Sequence, residues 1–118
     1  MILGSVMNIR RINDEYAVSG QISVDDLAQI KAIGFKSIVC HRPDGEAPGQ
    51  PAYADLARKA KELGLEMRYI PVGHMGVGYE KVREFVDALD EMDRPMLGYC
   101  RSGARSTAIY QQTLHIRS

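Results

Sequence analysis

Apolar positions along the chain change their period several times, and each change marks a candidate element. Asn8 to Ile12 and Tyr16 to Ser19 read as short strands around a turn at Asn13-Asp14-Glu15. Ser23 is placed to cap a helix, with Asp25 and Asp26 in a first turn where the helix dipole favours negative charge. Val24, Leu27, Ala28, Ile30 and Ile33 recur at helical spacing, and Gly34 supplies the stop. Ser37 to Cys40 reads as a short buried strand, and the glycines and prolines between His41 and Pro51 require a loop. Pro51 suits a helix start. Tyr53, Leu56, Ala57, Ala60 and Leu63 mark one face of that helix, closed by Gly64. A strand from Leu65 to Val72 leads into a glycine-rich loop from Gly73 to Gly78. Val82, Phe85, Val86, Leu89 and Met92 form the clearest amphipathic stripe, which Pro95 ends. Met96 to Tyr99 is the last strand, and helix follows from about Ser106.

Strands that alternate with helices pair in parallel through crossovers. The expected fold is therefore α/β, a small, mostly parallel sheet flanked by helices. Ligands of such sheets sit at the carboxyl ends of the strands. The loops at 41–50, 73–78 and 100–105 all leave such ends, so they are expected to face one site.

The bulk numbers narrow the function classes. A chain of 118 residues fits one domain over 1–118, large enough to bury a core without metal or disulfide help. Lysine plus arginine equals aspartate plus glutamate at 15 each, so no general bias toward nucleic acid or anionic membrane exists, and any anion site must be local. Two cysteines in an unstapled domain point to a reducing compartment, and a cytoplasmic location is expected. The run Met1–Met7 is interrupted by Gly4 and Ser5 and does not read as a signal peptide. No His or Cys spacing suits a metal, so neither metal nor cofactor is expected. Little chain follows the helix after Cys100, which would leave apolar surface open to a homodimer.

The chemistry concentrates in Cys100-Arg101-Ser102-Gly103-Ala104-Arg105-Ser106, a link from buried strand to helix. A tight loop there turns backbone N–H groups inward as a nest for an anion, and the helix end adds its own free N–H groups. Gly103 permits a positive φ in mid-turn. Such surroundings lower a thiol pKa from about 8.5 and leave a thiolate at neutral pH. Arg105 offers a planar, permanently charged fork for two oxygens of a phosphoryl or sulfuryl group. Ser106 is placed to hydrogen-bond the sulfur and ease its departure in a second step. Together these parts serve nucleophilic capture of a tetrahedral anion, with Arg101, Ser102, Gly103, Ala104 and Arg105 surrounding it. The plainer alternative is a buried structural cysteine before a surface turn. Arg101 by itself reads as solvent-facing, Arg42 as a partner of Glu46 or of a nearby backbone group that shapes its loop, and Tyr53, Tyr69 and Tyr79 as packing residues.

Four segments occur in order: Ser19-Gly20-Gln21-Ile22-Ser23, Arg42-Pro43-Asp44-Gly45-Glu46, Tyr69-Ile70-Pro71-Val72 and Tyr99-Cys100-Arg101-Ser102-Gly103. Together they resemble the bacterial beta-lactamase-hydrolase-like family, whose fold is similar to dual-specificity protein phosphatases. The resemblance runs from about Ile9 to Gln112. It implies a cysteine phosphatase with Cys100 as nucleophile, Arg105 as phosphate clamp and Ser106 as helper. The substrate would be a phosphorylated small molecule or phosphoprotein. In similar phosphatases an aspartate general acid follows the Ile-Pro-Val strand, and the matching position here is His74; Asp44 on the neighbouring loop is the other candidate. In some of them a cysteine at the position of Cys40 captures the oxidised nucleophile. Dual-specificity phosphatases place five residues between cysteine and arginine and a histidine before the cysteine. Here four residues intervene and Tyr99 precedes, features similar to rhodanese sulfurtransferases, which carry a persulfide. The helix-bearing segment between Arg42 and Ile70 resembles the phosphatases instead. A non-catalytic phosphate-binding module is the third reading.

Overall fold

The computed structural model describes residues 8–117; the segment Met1–Met7 lies outside them. β1 (Arg10–Arg11) and β2 (Tyr16–Ser19) form an antiparallel hairpin. Its turn is the expected one. Asn13 Oδ1 accepts from the N–H groups of Glu15 and Tyr16 at 3.0 and 3.1 Å, and Ile12 N–H donates to Tyr16 O at 2.9 Å. Then follow α1 (Asp26–Ile33), β3 (Ser37–Cys40), α2 (Tyr53–Glu62), β4 (Glu66–Tyr69), α3 (Tyr79–Glu91), β5 (Met96–Tyr99) and α4 (Ala104–Thr113). The sheet order is β1-β2-β5-β3-β4, and β2, β5, β3 and β4 run parallel. The strand that leads to Cys100 is therefore central.

Alternation along the strands divides the core into two layers. Ala17, Ile38, Cys40, Leu97 and Tyr99 face α1 and α2, where Leu27, Ile30, Leu56 and Ala60 meet them. Tyr16, Val18, Val39 and Met96 face α3 and α4, against Val82, Phe85, Leu89, Ile109 and Tyr110. Full burial of each large apolar side chain contributes about 1.5–3 kcal/mol, so the α3 stripe alone is a major anchor. No helix among the described residues is long and apolar enough to cross a membrane.

Several boundaries differ from the sequence pattern for identifiable reasons. Ser23 does not cap α1, because Val24 and Asp25 form a separate turn and the helix starts at Asp26. The reverse bond forms instead, with Asp26 Oδ2 accepting from Ser23 N–H at 2.8 Å. That turn takes Val24 off the apolar stripe, and Ile33 at the far end is also exposed, so Leu27 and Ile30 alone reach the core. β4 ends at Tyr69, yet Ile70 N–H donates to Cys40 O and Val72 N–H to His41 O at 2.9 and 2.8 Å. These bonds keep the chain ends after β3 and β4 side by side. Tyr53 and Tyr69 stack at 4.9 Å as half-buried packing, whereas Tyr79 is 70% exposed, contrary to expectation. It borders a hollow of about 410 Å³ between α3 and the end of α4, lined also by Val77, Val82 and Ile116.

Gly98, at the middle of β5, is needed for packing. A Cβ there would stand 2.1 Å from the Tyr16 hydroxyl. Tyr16 cannot retreat, because its ring stacks on Tyr110 at 4.5 Å, meets Phe85 edge-on, and its hydroxyl donates to Ser106 O at 3.1 Å. Gly98→Ala should thus cost about 2 kcal/mol or more in urea unfolding. An unchanged midpoint would mean that the ring moves freely.

Candidate active site

Cys100 is the first residue after β5, between the ends of β2 and β3. Its N–H donates to Ser19 O, and Arg101 O accepts from Gln21 N–H, both at 3.4 Å, which ties the loop to the chain leaving β2. The approach is close enough that a Cβ on Gly20 would meet Arg101 O at 2.9 Å. Gly103 has φ 97°, the left-handed turn anticipated for it, and its N–H donates to Cys100 Sγ at 3.0 Å. α4 starts at Ala104, two residues earlier than the pattern indicated. Arg105 and Ser106 therefore lie in the first helical turn, directly beside the sulfur.

Burial raises the Cys100 pKa, but the N–H groups of Ser106, Ser102 and Gly103 and the Ser106 hydroxyl outweigh it and leave the thiol below its ordinary value. Ser106 Oγ is fully buried and has no competing hydrogen-bond partner among the described residues, so it is free to serve the sulfur. Arg101 is exposed, as its side chain suggested, and Ser102 and Ala104 line the outer rim.

Arg105 is fixed from the other side. Nη1 donates to Glu46 Oε2 and to Val72 O, both at 2.7 Å, and Nη2 donates to Glu46 Oε1 at 2.8 Å. Three of its five N–H groups are used. The remaining two, on Nε and Nη2, share one edge of the guanidinium and have no partner among the described residues. A thiolate at Cys100 adds to the stabilisation of the Arg105 charge, so the sulfur lies within its field. One edge of the fork is thus anchored, and the other has the geometry to take two oxygens of an oxyanion. The Arg105 hydrogen bonds are the main cause that holds the Glu46 carboxyl at about 2, against burial, with Arg42 helping. Arg42 Nε donates to Glu46 Oε1 at 3.0 Å, the pairing expected from the sequence, and Arg42 Nη1 donates to Gln21 Oε1 at 3.0 Å.

A family model for "Beta-lactamase hydrolase-like protein, phosphatase-like domain" matches residues 8–114. The chain belongs to this family. The Beta-lactamase hydrolase-like protein of Agrobacterium fabrum is 34% identical over 104 residues, 88% of this chain, and its Xylella fastidiosa counterpart is 32% identical over the same length. The chain spans 24% of the length of these relatives. Among solved structures, a phosphatase candidate from Neisseria meningitidis superposes with TM-score 0.78 at 28% identity, covering 85% of this chain and 71% of that one. A kinase associated phosphatase whose catalytic-site cysteine is replaced by serine shares the fold, with TM-score 0.68 at 16% identity over 86% of this chain and 65% of its own.

In this phosphatase-like domain the remaining site residues are spread around the loop. His74 is exposed at the rim, with Nε2 3.4 Å from Glu46 Oε2. Asp44 serves a helix: its Oδ1 accepts from Tyr53 N–H at 2.9 Å, at the start of α2, and its own N–H donates to the Tyr69 hydroxyl at 2.9 Å. Cys40 packs in the layer that faces α1 and α2, beside Tyr99, and its Sγ donates to Arg42 O at 3.2 Å. Burial pushes its thiol up to about 11, against the Tyr99 hydroxyl.

Two residues of the domain escaped the sequence reading. Glu46 was assigned to loop shape alone, and its link to Arg105 spans 59 positions, so no local spacing announces it. His41 is fully buried after β3. Its Nδ1 donates to Ile70 O at 2.9 Å, its ring meets Phe85 edge-on, and Nε2 has no partner among the described residues. Burial brings its pKa down to about 4, the Ile70 bond opposing and the Arg105 charge adding.

Two predictions follow from this geometry. Glu46→Gln keeps the shape but loses the anchoring charge, and should weaken orthovanadate binding about tenfold by calorimetry. Combined with Arg105→Lys it should add little, since both act on one fork; full additivity would separate them. His41 has a folded pKa below its unfolded value, so its contribution is complete above about 6.5 and is lost as pH falls toward 4. Unfolding free energy should fall across that window by up to roughly 1.4 kcal/mol per pH unit. His41→Asn, which retains a donor for Ile70 O without titrating, should flatten the slope.

Proposed function

We propose that the domain is a cysteine-dependent phosphatase that hydrolyses a phosphate monoester through a phospho-cysteine intermediate. The observation that carries this reading is the free Nε and Nη2 edge of Arg105, held by Glu46 and Val72 O beside a thiol with lowered pKa. Two phosphoryl oxygens fit that edge, and the loop amides take the third. In the first step the Cys100 thiolate attacks phosphorus, the P–O bond to the leaving group breaks, and an acid protonates the departing oxygen. In the second, water attacks phosphorus, the P–S bond breaks, and inorganic phosphate leaves with the thiolate restored. Ser106 donates toward the sulfur as negative charge returns to it. The phosphatase fold of the kinase associated phosphatase, studied with its catalytic-site cysteine changed to serine, supports the assignment of Cys100.

We assign the acid to His74, because its imidazole stands 3.4 Å from the same Glu46 that holds Arg105, whereas the Asp44 carboxylate is engaged at the start of α2. Glu46 itself is ionised throughout the working range and carries no proton to give.

One observation favours a second reading, a sulfurtransferase with a persulfide on Cys100. Only four residues separate Cys100 from Arg105, so the ring around the anion is small, and the Gly103 N–H points at the sulfur itself.

Cys100→Ser should retain the fold and reduce aryl phosphate hydrolysis to background, and Arg105→Lys should lose about 10²-fold or more in kcat/KM. Retention of a tenth of the activity in Cys100→Ser would remove covalent catalysis through this residue. Thiosulfate treatment distinguishes the second reading: one sulfur added to Cys100 by intact mass, with thiosulfate-to-cyanide turnover and no phosphatase activity, would replace the first. Vanadate binding with neither turnover would leave a phosphate-binding module. His74→Asn should slow phosphates with poor leaving groups more than those with good ones, and equal slowing would pass the role to Asp44.

A further inference from the structure

One arginine at the loop has no task in the reaction. Arg42, Arg58, Arg68, Arg94, Arg105 and Arg117 each pair with a carboxylate, and Arg11 lies over the Phe35 ring. The Arg10 side chain has no hydrogen bond or ion pair among the described residues, although its backbone lies on β1, held beside β2. Its guanidinium rests against the Cys100 loop: a Cβ on Gly103 would stand 3.1 Å from Arg10 Nη2 and 3.5 Å from Ser19 O. Gly103 is the same residue whose N–H reaches Cys100 Sγ at 3.0 Å. The sheet order puts β2 on one side of β5 and β3 on the other. Arg10 therefore borders the loop at Gly103 from the side of β2, whereas Glu46, Val72 and His74 gather on the side of β3 and β4. Arg101, also exposed and without a carboxylate partner among the described residues, stands in the same loop.

The carboxylate that could neutralise this side is missing. Among the described residues Glu46 is shared between Arg42 and Arg105 on the far side and leaves nothing for Arg10 and Arg101, so positive charge is in surplus at the near rim. An unpaired guanidinium at the edge of an anion nest gains most from a ligand that brings a second anionic group of its own. We propose that Arg10, assisted by Arg101, forms a second anion subsite, and that the substrate is a phosphate ester carrying a second phosphate group beside the phosphoryl group that Cys100 attacks. This rests on the reading of the Cys100 loop as a phosphoryl site.

Calorimetry with inorganic phosphate and inorganic pyrophosphate tests the subsite without requiring turnover. Wild-type protein is expected to bind pyrophosphate about tenfold more tightly than phosphate, a gain of the size that one charge-assisted contact supplies. Arg10→Ala should bring the two affinities together by weakening pyrophosphate, with phosphate changed less than about twofold, and Arg10→Lys should retain part of the preference. Arg58→Ala, which removes an exposed arginine from α2, is the control for overall charge and should keep the wild-type ratio. If Arg10→Ala keeps the ratio, or if it and Arg58→Ala weaken both anions alike, the subsite is wrong. Phosphate binding without any pyrophosphate preference removes the subsite alone. Binding of neither anion to wild type removes the phosphoryl reading of the loop and the subsite with it.

Discussion

Glu46 reaches from the 41–50 loop to both terminal nitrogens of Arg105, and Arg105 also donates to Val72 O at the end of the strand segment after β4. Three loops from distant parts of the sequence are joined at one guanidinium. Both partners are largely buried, each side chain 14% exposed, so the loss of either would leave a charge without a counterion in a poorly solvated place. Such a loss typically costs about 3–5 kcal/mol, several times the worth of an exposed pair. Arg42 adds a second positive charge to the same carboxylate, and its remaining bond to Gln21 extends the connection to the chain leaving β2. A flexible arginine would spend entropy on gripping any anion, whereas this one is already ordered by its own protein partners.

The sheet supplies the other half of the arrangement. With β5 central, Cys100 emerges where backbone from β2 and β3 is within reach, and both sides use it: Ser19 O accepts from Cys100 N–H, and His41 N–H donates to Tyr99 O at 2.8 Å. Under the loop, Tyr16 passes through the space that Gly98 leaves and supports Ser106 O in the first turn of α4. The position of Cys100 is thus set by core packing as much as by the loop itself, and a change in β5 would be felt at the sulfur.

Much of this was legible from the sequence because it is local. The strand limits Tyr16–Ser19, Ser37–Cys40 and Met96–Tyr99 follow from short apolar runs bounded by turn residues, and Gly103 announces its left-handed turn. The stripe of α3 was likewise plain, since its period repeats over three turns. What stayed hidden depends on contacts between residues far apart. Glu46 looks like any loop carboxylate until Arg105 is brought to it, and Arg10 looks like a surface arginine until the hairpin lays it on Gly103. His41 resembles a loop polar residue, yet the pairing of Ile70 and Val72 with the end of β3 carries it indoors. The start of α1 was misread for a different reason: Ser23 and Asp26 have capping chemistry, but a one-turn offset exchanged donor and acceptor between them.

The same placement of charge has a consequence for association between chains. Among the described residues the sheet has two borders, and each border strand offers backbone groups to any extended segment that approaches. At one border β1 is only two residues long and consists of Arg10 and Arg11, both exposed. At the other, β4 carries Glu66 and Arg68, and Arg68 is held outward by Glu91 at 2.8 Å. A strand added at either border would have to bury like charges or break an ion pair. The arginine that flanks the Cys100 loop therefore also disfavours the addition of a strand at this border.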